Sequence, residues 1–358
     1  MEFNIAMTVK EFLLKKDIEI TVKRYAIDAL SAMTHGLFAS LVIGLIIKTI
    51  GEQIGIHAGE SAFSLFLVTI GGAAMAMIGP AIGVAVAHGL KAPPLVMYAC
   101  IVTGYMGNMA WEQGGAAGGA AGALVAAIIS TEFGKLVSKE TRVDIIVTPL
   151  VTIVIGGLVA RFFGPLIGAL MTGLGKVVMT ATELQPFWMG IVIALIVGLV
   201  LTSPISSAAL CIMLDLSGLA AGAATAGCCA QMVGFAVVSW RANGIGGLLS
   251  LGLGSSMLQM PNIVKNPWIL APATISAMIL GPVATMGFKM TNIPAGAGMG
   301  TSGFVGQIGT FTSMGFSMDT LWKVLILHIA LPAVISFVIY VFMKKAGRIK
   351  DSDFKLDV

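Results

Sequence analysis

Long apolar segments follow one another through most of this chain, separated by short polar, proline-containing or glycine-rich breaks. A helix needs about 20 consecutive apolar residues to cross the hydrocarbon core of a bilayer. On that basis the pattern predicts an all-α polytopic membrane protein with about ten transmembrane helices, eight being the alternative. The predicted spans and half-spans are 25–50, 61–90 (bent at Gly79-Pro80), 95–110, a segment ending near Glu132, 143–163, 186–203, 205–214 with its return 217–240, 268–288 and 319–343.

Amphipathic segments and charged ends divide the chain into parts. Charged and apolar residues alternate over 8–24, which predicts an N-terminal amphipathic helix lying at the membrane interface. The weakly apolar stretch 164–185 predicts a linking amphipathic segment between two membrane halves. The predicted organisation is an interfacial helix (1–24), an N-terminal half (25–163), the linker (164–185), a C-terminal half with re-entrant segments (186–343) and a cytoplasmic tail (344–358).

One stretch fits neither an ordinary span nor an ordinary loop. Thr291–Thr310 holds six glycines, yet it lies between long apolar segments. Glycine in a helix interior costs about 1 kcal/mol relative to alanine, and irregular backbone at membrane depth is tolerated only where it is buried in protein or lines a wet cavity. The stretch therefore predicts a broken or re-entrant segment at a solute site. A plain extracytoplasmic loop is the alternative, although such a loop has no need of Phe304, Val305 and Ile308.

A second break follows residue 201, where the sequence reads Thr202-Ser203-Pro204. Serine at an N-cap followed by proline is a helix-start pattern, and a helix that begins inside the membrane points its free N–H groups at the cavity. We expect both breaks to converge on one polar cavity with Asn108 or Glu112 on its wall; an exposed loop-end glutamate is the equal alternative for Glu112. The predicted substrate-binding residues are Asn292, Gly300, Thr301, Ser302, Gln307, Asn108, Glu112 and Ser203.

Composition supports the membrane assignment. Of the 358 residues, 57% are hydrophobic and 11% are charged, with a mean hydropathy of +0.96, whereas soluble domains carry about 25% charged residues. The 45 glycines fit helices that pack closely through small residues. Within 114–122, glycines recur at the four-residue spacing that lets helix backbones touch. This face is predicted to pack tightly, either inside the subunit or across a homodimer.

The distribution of charge sets the predicted orientation. Lysine and arginine gather in Lys10–Arg24, in 132–142 and from Lys344 onward, while the connection 51–60 carries acidic residues and no lysine or arginine. Because positive residues mark the cytoplasmic side, both termini of this multi-pass membrane protein are predicted to be cytoplasmic. The formal charge of +4 predicts no nucleic-acid partner, since the basic residues collect at membrane edges.

The sequence contains no motif that is specific for covalent chemistry. Gly298–Gly303 matches the dinucleotide pattern GxGxxG, but no βαβ unit surrounds it. The four cysteines lie in apolar stretches without metal-ligand spacing and are interpreted as packing residues. We therefore expect no catalytic residue, no metal and no cofactor. The expected partners are the lipid bilayer, a small polar solute and a second copy of the chain.

Three stretches together resemble a known family: Tyr25–Phe38, the Ile78–Gly83 turn and the glycine stretch Asn292–Gly309. They are similar to the membrane-embedded IIC component of the bacterial phosphotransferase system, and more narrowly to its small stand-alone branch, over about residues 10–345. The resemblance implies a ten-span homodimeric permease with a scaffold domain and a mobile domain that carries re-entrant hairpins. It also implies separate IIA and IIB proteins that supply phosphate. The chain is then at most the translocating subunit of a sugar phosphotransferase complex.

Three functions are consistent with the sequence. The first is a transporter resembling a IIC permease, which moves a small polar solute, a sugar or a sugar-like compound, by alternating access. The others are a membrane-embedded ligand-sensing regulator and an ion-coupled secondary transporter of a small organic anion. Half-helices that meet inside the membrane favour transport, because unsatisfied backbone is costly there. The family's usual Gly-Ile-Thr-Glu sugar motif does not occur in this sequence, which leaves coupling to phosphorylation open.

Overall fold

The computed structural model describes residues 9–59, 61–111, 117–203 and 206–356. Over these residues the chain is helical and contains no β-strand. It forms two compact units, Met1–Leu170 and Met171–Val358. An apolar chain in a bilayer favours helices, because each backbone N–H and C=O then bonds within its own segment. The predicted all-α class is confirmed.

The first unit contains a short N-terminal helix followed by a series of apolar helices. π-helical turns at Lys23–Asp28 and Phe38–Val42 extend and join the helices of the first span. The α-helices are α1 (Val9–Lys15), α2 (Ala29–Leu37), α3 (Ile43–Ala58), α4 (Ala62–Ala76), α5 (Ile78–Gly89), α6 (Pro94–Asn108), α7 (Gly119–Val137) and α8 (Asp144–Leu184), the last of which continues into the second unit.

The second unit combines full-length helices with short, interrupted ones. Its α-helices are α9 (Pro186–Thr202), α10 (Ser207–Met213), α11 (Gly218–Val238), α12 (Trp240–Leu249), α13 (Met260–Lys265), α14 (Ala271–Pro282), α15 (Pro294–Ala297), α16 (Val305–Met314), α17 (Met318–Val324) and α18 (Leu331–Lys345). π-helical turns occur at Ser250–Gly254, Val283–Gly287 and Leu325–Ala330, and 3-10 turns at Ser256–Gln259, Pro267–Leu270, Ser302–Phe304 and Asp351–Phe354.

Six helices of the described residues are long and apolar enough to cross a membrane, or seven if the bent pair α4 and α5 counts as one span. This pair bends by 52° around Met77, so a bend within 61–90 is confirmed, but it lies just before the predicted Gly79-Pro80, which are in the first turn of α5. The predicted linker 164–185 is the second part of the 41-residue helix α8, which passes through Pro165. A proline removes one backbone hydrogen bond, and a membrane helix can continue through it with a bend.

At the N-terminus, the described residues of the predicted interfacial segment 1–24 form helix α1 and, at Lys23 and Arg24, the start of the π-helical turn Lys23–Asp28. The chain turns at Asp17, whose φ is 53°. Lys16 then donates a hydrogen bond to the Ser138 carbonyl and pairs with Glu140. The N-terminal segment is therefore attached to the connection that follows α7.

Two buried cations hold this attachment together. Lys135, only 1% exposed, donates to the carbonyls of Asp17 (2.8 Å) and Leu90 (3.0 Å) and lies 3.1 Å from Glu132. Arg24 donates to the carboxylate of Asp17 (2.7 Å) and to the same Leu90 carbonyl (3.0 Å). A buried charge is tolerated when it is both paired and hydrogen-bonded, and each of these cations is.

Glycines let helices of the first unit touch through their backbones. A Cβ atom at Gly118 or at Gly122 would overlap the carbonyl oxygen of Gly107 on α6. Such close approach is what small residues at four-residue spacing permit. The predicted glycine face thus packs inside the subunit at these positions, while residues 114 and 115 lie outside the described residues.

Helix α11 is the axis of the second unit. In its most apolar 18-residue window, 94% of the residues are buried, and α9, α14 and α18 pack around it. Small side chains make this possible, because a Cβ at Gly227 would overlap Ala194 on α9 and one at Gly222 would overlap the Met290 carbonyl. A helix that is apolar on all sides belongs in the core of its bundle.

Replacing Gly118 by leucine should prevent α6 and α7 from packing, because a side chain at this position meets the Gly107 carbonyl. We expect most of the protein to be lost from the monodisperse peak in size-exclusion chromatography after detergent extraction. Gly72→Leu is the matched control, since a Cβ at Gly72 on α4 meets no atom within 4 Å. Equal yield and equal thermal stability of the two variants would contradict the packing assignment.

Candidate functional site

The glycine-rich stretch runs through the interior of the second unit. It begins at Asn292, whose backbone forms an isolated bridge with Gly218 at the start of α11, with N–O distances of 3.1 and 3.3 Å. It continues as the four-residue helix α15, a turn, a 3-10 turn and then α16. Residues 295–301 are buried. The stretch is broken as expected, and its burial is not that of a loop that merely connects two spans.

The half-helix α10 starts at a different serine from the one predicted. Ser206 is its N-cap, and its side chain accepts a hydrogen bond from the Ala209 N–H (3.0 Å). Ser203 instead closes α9, and its hydroxyl donates to the Val200 carbonyl (2.8 Å). The N-cap prediction for Ser203 is therefore wrong. Ser206 supplies the same side-chain acceptor, and the helix begins three residues later than expected.

The start of α10 meets the glycine stretch. The Ser207 hydroxyl donates to the Gly298 carbonyl (2.6 Å), and a Cβ at Gly298 would overlap the Ser207 backbone. Glycine at 298 is thus required by the close approach of two backbones. The two broken segments lie together, as we expected from their sequences.

Asn292 ties the glycine stretch together. Its side-chain nitrogen donates to Thr225 Oγ1 (2.7 Å), to the Gly306 carbonyl (3.0 Å) and to Thr310 Oγ1 (3.2 Å), while its oxygen accepts from the Ile293 N–H (2.8 Å). The side chain is only 1% exposed. In this conformation the hydrogen bonds of the Asn292 carboxamide are made to the protein itself, so the side chain positions the stretch.

The turn after α15 packs directly on α11. Gly300 has a φ of 53°, and a Cβ there would lie 2.8 Å from the Cys228 carbonyl carbon. Only glycine satisfies both the left-handed conformation and the contact. Thr301 donates its hydroxyl hydrogen bond to the Gly252 carbonyl. The backbone N–H groups of Gly300 and Thr301 donate to none of the described residues, whereas the Ser302 N–H is taken by the Met299 carbonyl (3.0 Å).

Gln307 and His328 form a buried polar pair with spare hydrogen-bonding capacity. Gln307 Nε2 lies 3.3 Å from His328 Nδ1 and 3.5 Å from Cys229 Sγ. The two residues are 6% and 0% exposed. Gln307 Oε1 and His328 Nε2 have no hydrogen-bond partner among the described residues. Because buried polar atoms are normally paired, these two atoms are candidate contacts for a ligand.

His328 is the residue that the sequence analysis missed. It lies in the π-helical turn Leu325–Ala330, within the last predicted span. Single π-turns inside helices occur frequently at functional sites. The signal was present in the sequence, since an ionisable residue inside a span is by default a functional candidate.

Three predicted site residues remain: Ser302, Asn108 and Glu112. Ser302 is partly buried beside the turn. Asn108 belongs to the first unit, where it ends α6 and its Cβ faces Gly79. Glu112 lies outside the described residues. A place for Asn108 or Glu112 on the wall of the site stays a prediction.

The buried polar groups of the second unit carry no formal charge. Over its described residues, no Asp, Glu, Lys or Arg is buried, and the buried polar side chains are hydroxyls, carboxamides and the His328 imidazole. A second network continues along α11, where Gln231 joins Thr202 (3.3 Å) and Thr274 (3.1 Å), and Thr202 joins Ser256 (2.9 Å). The interior therefore offers hydrogen bonds without fixed charge.

A known protein family matches this chain over nearly its whole length. The family model described as "Phosphotransferase system, EIIC" matches residues 27–356, which include the first span, the bent pair α4 and α5, and the glycine stretch. No curated protein matches the sequence.

Replacing Asn292 by alanine should destabilise the second unit, because the Ile293 N–H loses its acceptor and the Thr225 and Thr310 hydroxyls each lose one of their hydrogen bonds. Leaving a buried group unsatisfied costs about 1–3 kcal/mol, so we expect a clear fall in thermal unfolding temperature in detergent. Thr291→Ala is the matched control, since its hydroxyl contacts only the exposed Ser313 hydroxyl. An unchanged unfolding temperature in the Asn292 variant would refute its positioning role.

Proposed function

The chain belongs to the phosphotransferase system EIIC family, and we propose that it is a permease that moves a small polar solute, a sugar or a sugar-like compound, by alternating access. Permeases of this family are sugar-specific in general and work with IIA and IIB components. We propose the same partners here, with this chain as the translocating subunit. Phosphate then comes from the partner proteins, and no residue of this chain is assigned a covalent step.

The observation that carries this proposal is the free donor and acceptor at Gln307 and His328. Gln307 Nε2 can only donate, so His328 Nδ1 faces it as an acceptor and the ring proton lies on Nε2. The free atoms are thus one acceptor, Gln307 Oε1, and one donor, His328 Nε2. A hydroxyl both donates and accepts. Gln307 Oε1 can therefore accept a hydrogen bond from one solute hydroxyl, and His328 Nε2 can donate to another.

The glycine turn supports the same class of solute. The N–H groups of Gly300 and Thr301, which donate to none of the described residues, can donate to hydroxyl oxygens of a solute. Each such bond contributes about 0.5–1.5 kcal/mol net. Several weak neutral bonds suit a solute that must be released again on the other side of the membrane.

The organic-anion alternative has less support than the sugar proposal. An anion taken into an apolar interior needs a paired cation or a dense set of donors, and no lysine or arginine is buried in the described part of the second unit. A ligand-sensing regulator would bind solute at the same groups without moving it, and is distinguished only by measuring uptake.

We propose the finer architecture on the evidence of composition and charge. Ten crossings result if the shorter apolar helices and the broken segments are counted beside the six or seven long candidates, with eight as the alternative. The lysine and arginine clusters support a cytoplasmic position for both termini, and the family resemblance supports a bacterial inner membrane. A homodimer is proposed on the family resemblance.

Uptake into proteoliposomes tests the function. The purified full chain should accumulate at least one neutral sugar from a panel of radiolabelled sugars and small organic anions. Gln307→Ala and His328→Ala should each weaken sugar binding about two- to tenfold, as expected for the loss of one hydrogen bond. Thr312→Ala is the control on α16, since its exposed hydroxyl bonds only to the Ile308 carbonyl of the same helix. Uptake of anions alone would contradict the proposal, and sugar binding without uptake would favour the regulator.

Thiol labelling tests the orientation. A membrane-impermeant maleimide added from outside should label Glu52→Cys but neither Thr141→Cys nor Lys345→Cys, since all three side chains are exposed and only residue 52 lies on the predicted outer side. The native cysteines are all buried, so the unmodified protein gives the background. The reverse labelling pattern would overturn the assignment of both termini to the cytoplasm.

A further inference from the structure

Residues 349–356, predicted as part of a cytoplasmic tail, are docked into the second unit. We call this segment the strap. Ile349 and Phe354 are 1% and 0% exposed, and they share one apolar core with Phe235 at the end of α11 and with Leu251. The Phe354 ring also makes an edge contact with Tyr340. The strap is therefore a packed part of the unit rather than a solvated tail.

Side-chain amides hold the backbone of the strap. Asn243 donates to the Phe354 carbonyl (2.8 Å) and accepts from the Leu356 N–H (2.9 Å). Gln259 donates to the same Phe354 carbonyl (2.9 Å), and Asn262 donates to the Lys355 carbonyl (2.8 Å). These bonds hold the main chain of residues 354–356, where the 3-10 turn Asp351–Phe354 ends, and Phe354 is the apolar anchor.

Ionic contacts fix the beginning of the strap. Lys344 lies 2.7 Å from both carboxylate oxygens of Asp351, and the Tyr340 hydroxyl also donates to this carboxylate. The hydrogen bonds from Lys344 and then Tyr340 lower the pKa of the Asp351 carboxyl. Asn266 donates to the Asp353 carboxylate (2.9 Å). The strap is thus held along its length by short-range contacts, while Ser352 and Lys355 are exposed.

The π-helical turn Ser250–Gly254, which we call the strip, lies between the strap and the glycine turn. Leu251 in the π-helical turn Ser250–Gly254 lies in the core of Phe354, and the next residue, Gly252, accepts the hydrogen bond from Thr301. The backbone is non-helical on both sides of the strip: at Gly244 (φ 60°), six residues before it begins, and at Ser255, which follows it and is extended. One face of the strip thus contacts the strap and the other contacts the candidate site.

There is free volume where the strap ends. A cavity of about 330 Å³ is lined by residues of α12, by Ser250 and by Lys355 and Leu356 of the strap. The end of the strap and the start of the strip therefore have room to move without displacing a packed core. Segments with solvent-exposed hydrogen bonds open locally before the whole domain does, and the bond from Asn262 to the Lys355 carbonyl is exposed.

We propose that the strap is a displaceable latch: when docked it holds Ser250–Gly254 against the glycine turn, and its release frees the turn at Thr301 and opens the candidate site from the strap side. The inference rests on the proposed function for the identity of the site. A cytoplasmic partner or a change of conformation that removes Phe354 from its core would have the same effect on the turn.

The test combines two readouts in the full chain in detergent. Strap release is measured as trypsin cleavage after the exposed Lys350, and freedom of the turn as maleimide labelling of Ser302→Cys, an isosteric reporter beside Thr301. Asn243→Ala removes two hydrogen bonds to the strap and Phe354→Ala removes its anchor. Each should raise both rates roughly tenfold, the factor that corresponds to about 1.4 kcal/mol. Lys355→Ala, whose side chain is exposed, should leave both rates at the parent value.

Each outcome decides the proposal. Faster cleavage after Lys350 with unchanged labelling of Ser302→Cys would show that the strap anchors only itself, and unchanged cleavage in both variants would show that these contacts do not hold it; either result overturns the latch. If Phe354→Ala does not fold, Asn243→Ala alone decides. Neither readout uses a solute. A failure of sugar uptake would therefore refute the proposed function without affecting the test of the latch.

Discussion

Where the backbone of the second unit leaves helical geometry, its polar groups need new hydrogen-bond partners inside an apolar bundle, and the Asn292 carboxamide supplies them. It bonds the Ile293 N–H, the Gly306 carbonyl and two threonine hydroxyls. Unpaired backbone groups cost several kcal/mol in hydrocarbon, so such a side chain stabilises the broken stretch. The rest of the candidate site is built around this junction.

The junction in turn depends on small residues. Gly298 and Gly300 let the stretch lie on α10 and α11 with no side chain between the backbones, and α11 itself is lined by alanines and glycines at its buried positions. The same device joins α6 and α7 in the first unit through Gly107 and Gly118. Packing by small residues brings main-chain groups close enough to one another, and to a solute, to be used directly.

The interior of the second unit contains two kinds of polar group with different roles. Asn292 and Gln231 are bonded to neighbouring helices and hold structure, while Gln307 and His328 keep one atom each free. A neutral site with spare donors and acceptors suits a hydroxylated solute, in keeping with a phosphotransferase system permease. In the proposed latch, release of the strap near the end of α11 changes the contacts of Thr301.

Particular residues show what the sequence by itself determined. The apolar segments gave the all-helical membrane class, and the glycines of Thr291–Thr310 located the broken segment, because both depend on local composition. Hydrogen-bond partners could not be predicted, since they come from distant parts of the chain: Asn292 bonds Thr225, 67 residues away, and Gln307 meets His328, 21 residues away. Only the tertiary structure decided that the Asn292 carboxamide is hydrogen-bonded within the protein and that the segment around Phe354 is docked. It also decided that His328 Nε2 has no partner among the described residues.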